Sequence, residues 1–101
     1  MEASAKDIIL RVRQGDLEAY AELVRLYKRQ VRGIVSFALR NDAETEDMVQ
    51  QTFVKAYQNL HRYDIGQDFG TWLRTIARNL VRNELRRLSR EDRRMRLYHQ
   101  H

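Results

Sequence analysis

Thr71, Thr75, Arg78, Arg82 and Arg86 recur at intervals of three and four residues. On a helix turning about 100° per residue they fall within roughly 40° of one line, which makes a ridge of guanidinium groups flanked by hydroxyls. Ordinary wet helix faces intersperse both signs, whereas residues 71–90 hold six Arg and a single acid, Glu84. That imbalance points to a polyanion as partner. Arg suits planar, bidentate contact with phosphates and base edges. Thr also contacts phosphates, and amides or aromatic rings near such a helix read or stack on bases. Asn79, Asn83, Trp72, Phe69 and Tyr63 are the candidates for reading or stacking, and Arg74 joins Arg78 and Arg82 as a phosphate contact.

The basicity is local. Residues 1–60 balance nine Lys/Arg against nine Asp/Glu, while residues 61–101 hold ten Arg, no Lys and five acids, the whole of the net charge of +5. A second face carries the opposite character. Residues 42–54 contain four acids and no base, and Glu44, Asp47, Gln51 and Val54, with Gln50 at the margin, lie away from the Val49/Phe53/Leu60 stripe. Acids in a first helical turn are often no more than capping. Asp47, Gln50, Gln51 and Val54 extend too far for that, and a mixed polar face with one apolar residue suits protein docking.

Catalysis finds little support. His61, His99 and His101 have no metal-ligand spacing, Ser4, Ser36 and Ser89 lack His/Asp company, and no glycine-rich phosphate loop occurs. The acids of residues 42–47 lack the alternating ligands and glycine of a calcium loop. No cofactor is expected. With no Cys there is no disulfide, zinc ribbon or thiol nucleophile. The apolar runs are only a few residues long and the Met1–Asp7 segment carries acids where a secretory signal carries bases, so an intracellular, cytoplasmic protein with no membrane partner is expected.

The elements that must position these residues are helices. A chain of 101 residues with 43% hydrophobic residues, four Gly and no Pro predicts one all-α domain, a bundle of four helices. The first runs from about Ser4 to Gln14, stopped by Gly15. The second follows Asp16 to about Leu39 on the repeat Leu17, Tyr20, Leu23/Val24, Tyr27, Val31, Ile34/Val35, Ala38. Gly33 interrupts it, a cost of about 1 kcal/mol relative to Ala that close helix packing would explain. The third starts at Asn41 or Asp42 and buries Val49, Thr52/Phe53, Ala56/Tyr57 and Leu60. Residues 61–70 read as a glycine-containing loop, and the fourth helix runs from near Thr71 to about Ser89. Its apolar side is Leu73, Ile76, Ala77, Leu80 and Leu88; Glu84 falls on that side and calls for a basic partner from another helix. The domain is assigned to residues 1–90, with 91–101 a linker or tail.

Three segments together carry a resemblance: residues 42–57 (DAETEDMVQQTFVKAY), Phe69-x-Thr71-Trp72-Leu73-x-x-Ile76-Ala77-Arg78-Asn79-Leu80, and Glu84-Leu85-Arg86-Arg87. In this order they resemble the first folded domain of bacterial RNA polymerase sigma factors, nearest the extracytoplasmic-function (ECF) type. Gln14-Gly15-Asp16-x-x-Ala19-Tyr20-x-x-Leu23-Val24-x-x-Tyr27 fits the same family's opening helices, so the resemblance covers about residues 5–90. It implies that Asp47, Gln50, Gln51 and Val54 dock on the clamp helices of the polymerase's largest subunit. It also implies capture of a flipped base from the non-template strand of the −10 promoter element, with Asn79 as pocket residue and Phe69, Trp72 and Asn83 near it. An anti-sigma factor is a further candidate partner. Family members of this type carry a second domain for the −35 element, which lies outside this sequence, and Gly70 stands where relatives are often bulkier. The readings left beside this one are a general helical DNA-binding regulator and a protein-interaction bundle whose basic ridge meets an acidic partner.

Overall fold

A computed structural model describes residues 4–99; the readings placed on Met1–Ala3 and His101 lie outside them. Four helices account for almost all of this span: α1 (Ala5–Arg13), α2 (Leu17–Leu39), α3 (Asp42–Gln58) and α4 (Phe69–His99), with a 3₁₀ turn at Leu60–Arg62. No strand occurs among the described residues, so the fold is all-α as the composition implied.

Each start is set by a short polar side chain that accepts a hydrogen bond from an otherwise orphaned backbone N–H. Ser4 Oγ accepts from Asp7, Asp16 Oδ1 from Ala19, and Asn41 Oδ1 from Glu44. Gly15, at φ +99°, makes the left-handed exit from α1 that a Cβ would strain. Arg40 makes the equivalent exit from α2 at φ 54°.

The core is one apolar cluster fed by every helix. Ile8, Ile9 and Val12 of α1 meet Leu23, Val31 and Val35 of α2, Met48, Val49, Phe53 and Ala56 of α3, and Phe69, Leu73, Ala77 and Val81 of α4. Long α2 is the hub, packing against each of the other three. Arg11–Glu22, at 3.0 Å, ties α1 to α2 and Arg32–Glu46 ties α2 to α3.

Four expectations need correcting. First, α4 runs to His99 instead of ending near Ser89. Residues 89–99 are all exposed, so no apolar period marks them, and Arg87–Glu91 and Arg96–Asp92 pairs one turn apart support the extension. Second, α4 begins at Phe69 because Asp68 caps it, its Oδ2 accepting from the Thr71 N–H at 3.0 Å. Gly70 is thus a buried helical residue, and a Cβ there would stand 3.2 Å from the Tyr27 ring. Third, Gly33 has no packing role, since a Cβ built on it meets nothing within 4 Å. Fourth, Glu84 pairs with Arg87 on its own helix at 2.6 Å, not with another helix.

Candidate nucleic-acid and partner interfaces

The basic ridge stands on α4 as the spacing implied. Arg78, Arg82 and Arg86 are exposed and make no ion pair among the described residues. Thr71 and Thr75 begin the ridge and are also exposed, but their hydroxyls have local duties. Thr71 Oγ1 donates to Asp68 Oδ2 at 2.9 Å, and Thr75 Oγ1 donates to the Thr71 carbonyl at 3.0 Å. Arg74 is half-buried and bridges elements: it donates to Gln30 Oε1 of α2 at 3.0 Å and to Thr71 Oγ1 at 3.2 Å, with Asp68 Oδ2 3.8 Å away. These contacts pin the first turn of α4 to α2.

Asn79 is exposed and borders a cavity of about 320 Å³. Asn83, Arg82 and Arg86 share that cavity, Ile76 and Leu80 give it apolar surface, and Lys55 reaches it from α3. Amides, cations and apolar surface around an open hollow, with no carboxylate in the lining, fit a nucleobase and its phosphate. Lys55 escaped the sequence reading because it directly follows the acidic segment, residues 42–54, on another helix. Only the packing of α3 on α4 brings it to Asn79.

The aromatic candidates divide. Tyr63 and Phe69 are 4% and 3% exposed, so neither ring offers a face to a base; this corrects their expected role. They are core residues, with Tyr63, Phe69, Tyr27 and Trp72 forming one cluster at centroid distances of 5.1–5.6 Å. Arg13 of α1 locks this cluster by donating to the Leu60 carbonyl at 3.0 Å and to the Tyr63 carbonyl, its guanidinium 5.9 Å from the Tyr63 ring centre. The Tyr63 hydroxyl donates to the Gln67 carbonyl and fixes the loop. Burial, and next the Asp68 carboxylate, push the Tyr63 and Tyr27 phenols above their ordinary value, so both stay neutral. Trp72 packs against the cluster and still borders a hollow of about 380 Å³ with Gln67, Asp68, Thr71 and Thr75.

On α3, Asp47, Gln50, Gln51 and Val54 are exposed together and Glu44 is half-buried near the helix start. Gln51 Nε2 donates to Asp47 Oδ2 at 2.7 Å, which orders the carboxylate along the helix face. This face runs into a largely apolar groove of about 1000 Å³ between α2 and α3, bordered by Leu17, Tyr20 and Val24 on one side and by Phe53, Val54 and Tyr57 on the other. Leu17 is 64% and Tyr57 44% exposed, although the periodicity assigned both to the core.

Fold and site together define a small all-helical domain, packed around α2, that presents one long basic helix. Residues 23–91 match the family model for Sigma-70 region 2. Similar curated proteins include the ECF RNA polymerase sigma factor SigW of Bacillus subtilis, 38% identical over 87 residues, 86% of this chain and 46% of that protein. The RNA polymerase sigma factor CarQ of Myxococcus xanthus is 37% identical over 76 residues, 75% of this chain and 44% of that protein. An engineered region 2 of sigmaE, solved in complex with GTAAAA, superposes with a TM-score of 0.82 at 34% identity, covering 90% of this chain and 97% of that one. The chain therefore belongs to the Sigma-70 region 2 family, and it spans less than half the length of the curated relatives it matches. Among the described residues, no helix is long and apolar enough to cross a membrane.

Proposed function

We propose that this chain is the promoter-recognition domain of an ECF-type sigma factor, acting in the cytoplasm. It binds core RNA polymerase through Asp47, Gln50, Gln51 and Val54, with Glu44 at their edge, and captures an unpaired base of the non-template −10 strand beside Asn79. The observation that carries this reading is the open cavity at Asn79 and Asn83 on a ridge of unpaired arginines, with no acid in its lining. Kinship to a sigmaE region 2 solved with GTAAAA supports it.

The work is done by binding, without catalysis. Unpairing and unstacking a base costs a few kcal/mol. Phosphate contacts from Arg78, Arg82 and Arg86, with Arg74 holding the start of α4 in place through Gln30 and Thr71, together with a filled pocket, offset that cost once polymerase holds the DNA alongside. The apolar groove beside the α3 face extends the docking surface, and an anti-sigma factor covering it would compete with polymerase. Residues 92–99 lie beyond the matched family segment and act as a tail that leads away from the domain.

The test measures binding of a single-stranded GTAAAA oligonucleotide and of a clamp-helix fragment. Asn79→Ala should weaken the oligonucleotide roughly tenfold, on the scale of one base contact, and leave the fragment untouched; Asp47→Arg should do the reverse. Equal or tighter binding to duplex, unaffected by Asn79→Ala, would instead identify a general helical DNA-binding regulator.

A further inference from the structure

Helix α1 lies outside the matched family segment, which starts at residue 23, and neither interface above uses it. Ile8, Ile9 and Val12 account for its packing on the core. Arg13, the last residue of the helix, is exposed and has no carboxylate partner among the described residues. Its Nη2 instead donates to the Leu60 carbonyl at 3.0 Å and to the Tyr63 carbonyl, across 47 and 50 residues of chain. Both acceptors stand where the chain leaves the 3₁₀ turn and enters the loop before α4. One nitrogen with two N–H groups holds the two carbonyls in fixed relation. The end of α1 thus sets the direction in which the loop departs. From Tyr63 two arms lead onward: its hydroxyl donates to the Gln67 carbonyl, and its ring lies 5.1 Å from the Trp72 ring at a tilt of 50°. Gln67 and Trp72 wall the same hollow of about 380 Å³. Trp72 precedes Asn79 by two turns on one flank of α4, about 10 Å along the axis. A strand that leaves the Asn79 cavity toward the start of α4 therefore meets Trp72 next.

We infer that Arg13 is a positioning residue for base capture: without touching DNA it sets, through Tyr63, the course of residues 64–67 and the tilt of Trp72, beside which the strand must lie. The inference rests on the single-strand reading above and adds to it the element that shapes the loop. Two plainer roles fit the geometry less well. As a phosphate contact, Arg13 would have to give up both carbonyls and its place 5.9 Å from the Tyr63 ring centre. As a support for the core it is redundant, since Ile8 and Ile9 of the same helix are fully buried. Its loss falls on the loop: a carbonyl of the buried Tyr63 is left without its partner, a costly state that the backbone relieves by turning, and Trp72 shifts with the ring it packs on.

Trp72 is the only tryptophan of the chain, so its fluorescence reads this position directly. In the whole chain, Arg13→Ala should make Trp72 more accessible to acrylamide quenching. It should also weaken binding of single-stranded GTAAAA roughly tenfold, on the scale of one base contact. Binding of the clamp-helix fragment and the slope of log K against log salt should match the wild type. Val12→Ala is the stability control: it opens a gap in the core one residue away, and should lower the melting temperature while Trp72 quenching and GTAAAA affinity stay as they were. Tyr63→Phe cuts the bond to Gln67 and keeps the ring. It should weaken GTAAAA binding less than Arg13→Ala does, and the double variant should bind no more weakly than Arg13→Ala alone, because the two residues act in series. Additive losses, or an equal loss in Val12→Ala, overturn the inference. So does a salt slope reduced by about 0.7 in Arg13→Ala, which means a direct phosphate contact. If Arg13→Ala binds GTAAAA as the wild type does, with Trp72 unchanged, this inference alone fails, whereas a wild type that binds no single strand refutes the single-strand reading with it.

Discussion

At the scale of single residues, two polar groups set measurable stability. Thr45 is 1% exposed and its Oγ1 has no hydrogen-bond partner, an arrangement that costs free energy because the hydroxyl gave up water without replacement. Thr45→Val keeps the shape and removes the orphan, so it should raise unfolding stability by about 1 kcal/mol; a lower urea midpoint would show that the hydroxyl is satisfied after all. Asp68 illustrates a paired group. Hydrogen bonds from the Thr71 hydroxyl and then the Thr71 N–H, with Arg74 a smaller influence, hold its carboxyl below the usual carboxylate range. A depressed folded value means the cap contributes above about pH 4, where the unfolded carboxyl is already ionised, and is lost as pH falls through the folded value. Asp68→Asn retains a capping acceptor but removes the titration. Urea midpoints followed from pH 6 down to pH 2 should therefore fall less steeply in the variant, and parallel curves would exclude Asp68 as a source of the acid limb.

At the scale of elements, α4 has two halves with different physics. Its first half is clamped: Leu73 is fully buried among residues from all four helices, and Leu73→Ala should cost about 2–5 kcal/mol, a large part of what holds a domain of this size together. Its last three turns are exposed throughout and tied to the rest of the helix by the Arg87–Glu91 pair, so ending the chain after Ser89 should change the unfolding free energy by no more than about 0.5 kcal/mol while lowering the helical circular-dichroism signal. A loss of several kcal/mol would mean that the extension packs on the bundle. The same division explains what was legible beforehand. Starts marked by Ser4, Asp16 and Asn41 and stretches with a buried apolar stripe could be read from residue types, because capping and burial leave local patterns. The end of α4 left none, since a fully solvated helix has no apolar period. Gly70 read as a breaker because its close approach to Tyr27 is a fact of tertiary packing. Tyr63 and Phe69 read as exposed stackers because loop aromatics carry no period that reveals burial. The arginine ridge was legible in full, whereas Lys55 at the Asn79 cavity, and Leu17 and Tyr57 at the groove, depend on how α3 packs against its neighbours.

At the scale of the whole molecule, charge is sorted along the chain: the first sixty residues are neutral and the remainder holds the entire excess of +5. The face on α3 proposed for docking and the ridge on α4 should consequently respond to salt in different ways. Neutralising each phosphate of a single strand contributes about −0.7 to the slope of log K against log salt. Arg78, Arg82 and Arg86 are free to do so, and the wild-type slope for a short single strand should lie near −2. Replacing any one of them by Ala should reduce its magnitude by about 0.7. Arg87 is the control. Its guanidinium is engaged by Glu84 at 2.6 Å and Glu91 at 2.9 Å, so Arg87→Ala should leave the slope unchanged despite removing the same formal charge. Asn79→Ala should lower the affinity at every salt concentration with the slope intact, because a neutral amide releases no counterion. If Arg87→Ala shifts the slope as much as Arg82→Ala does, the ridge is a diffuse positive field and not a set of individual phosphate contacts.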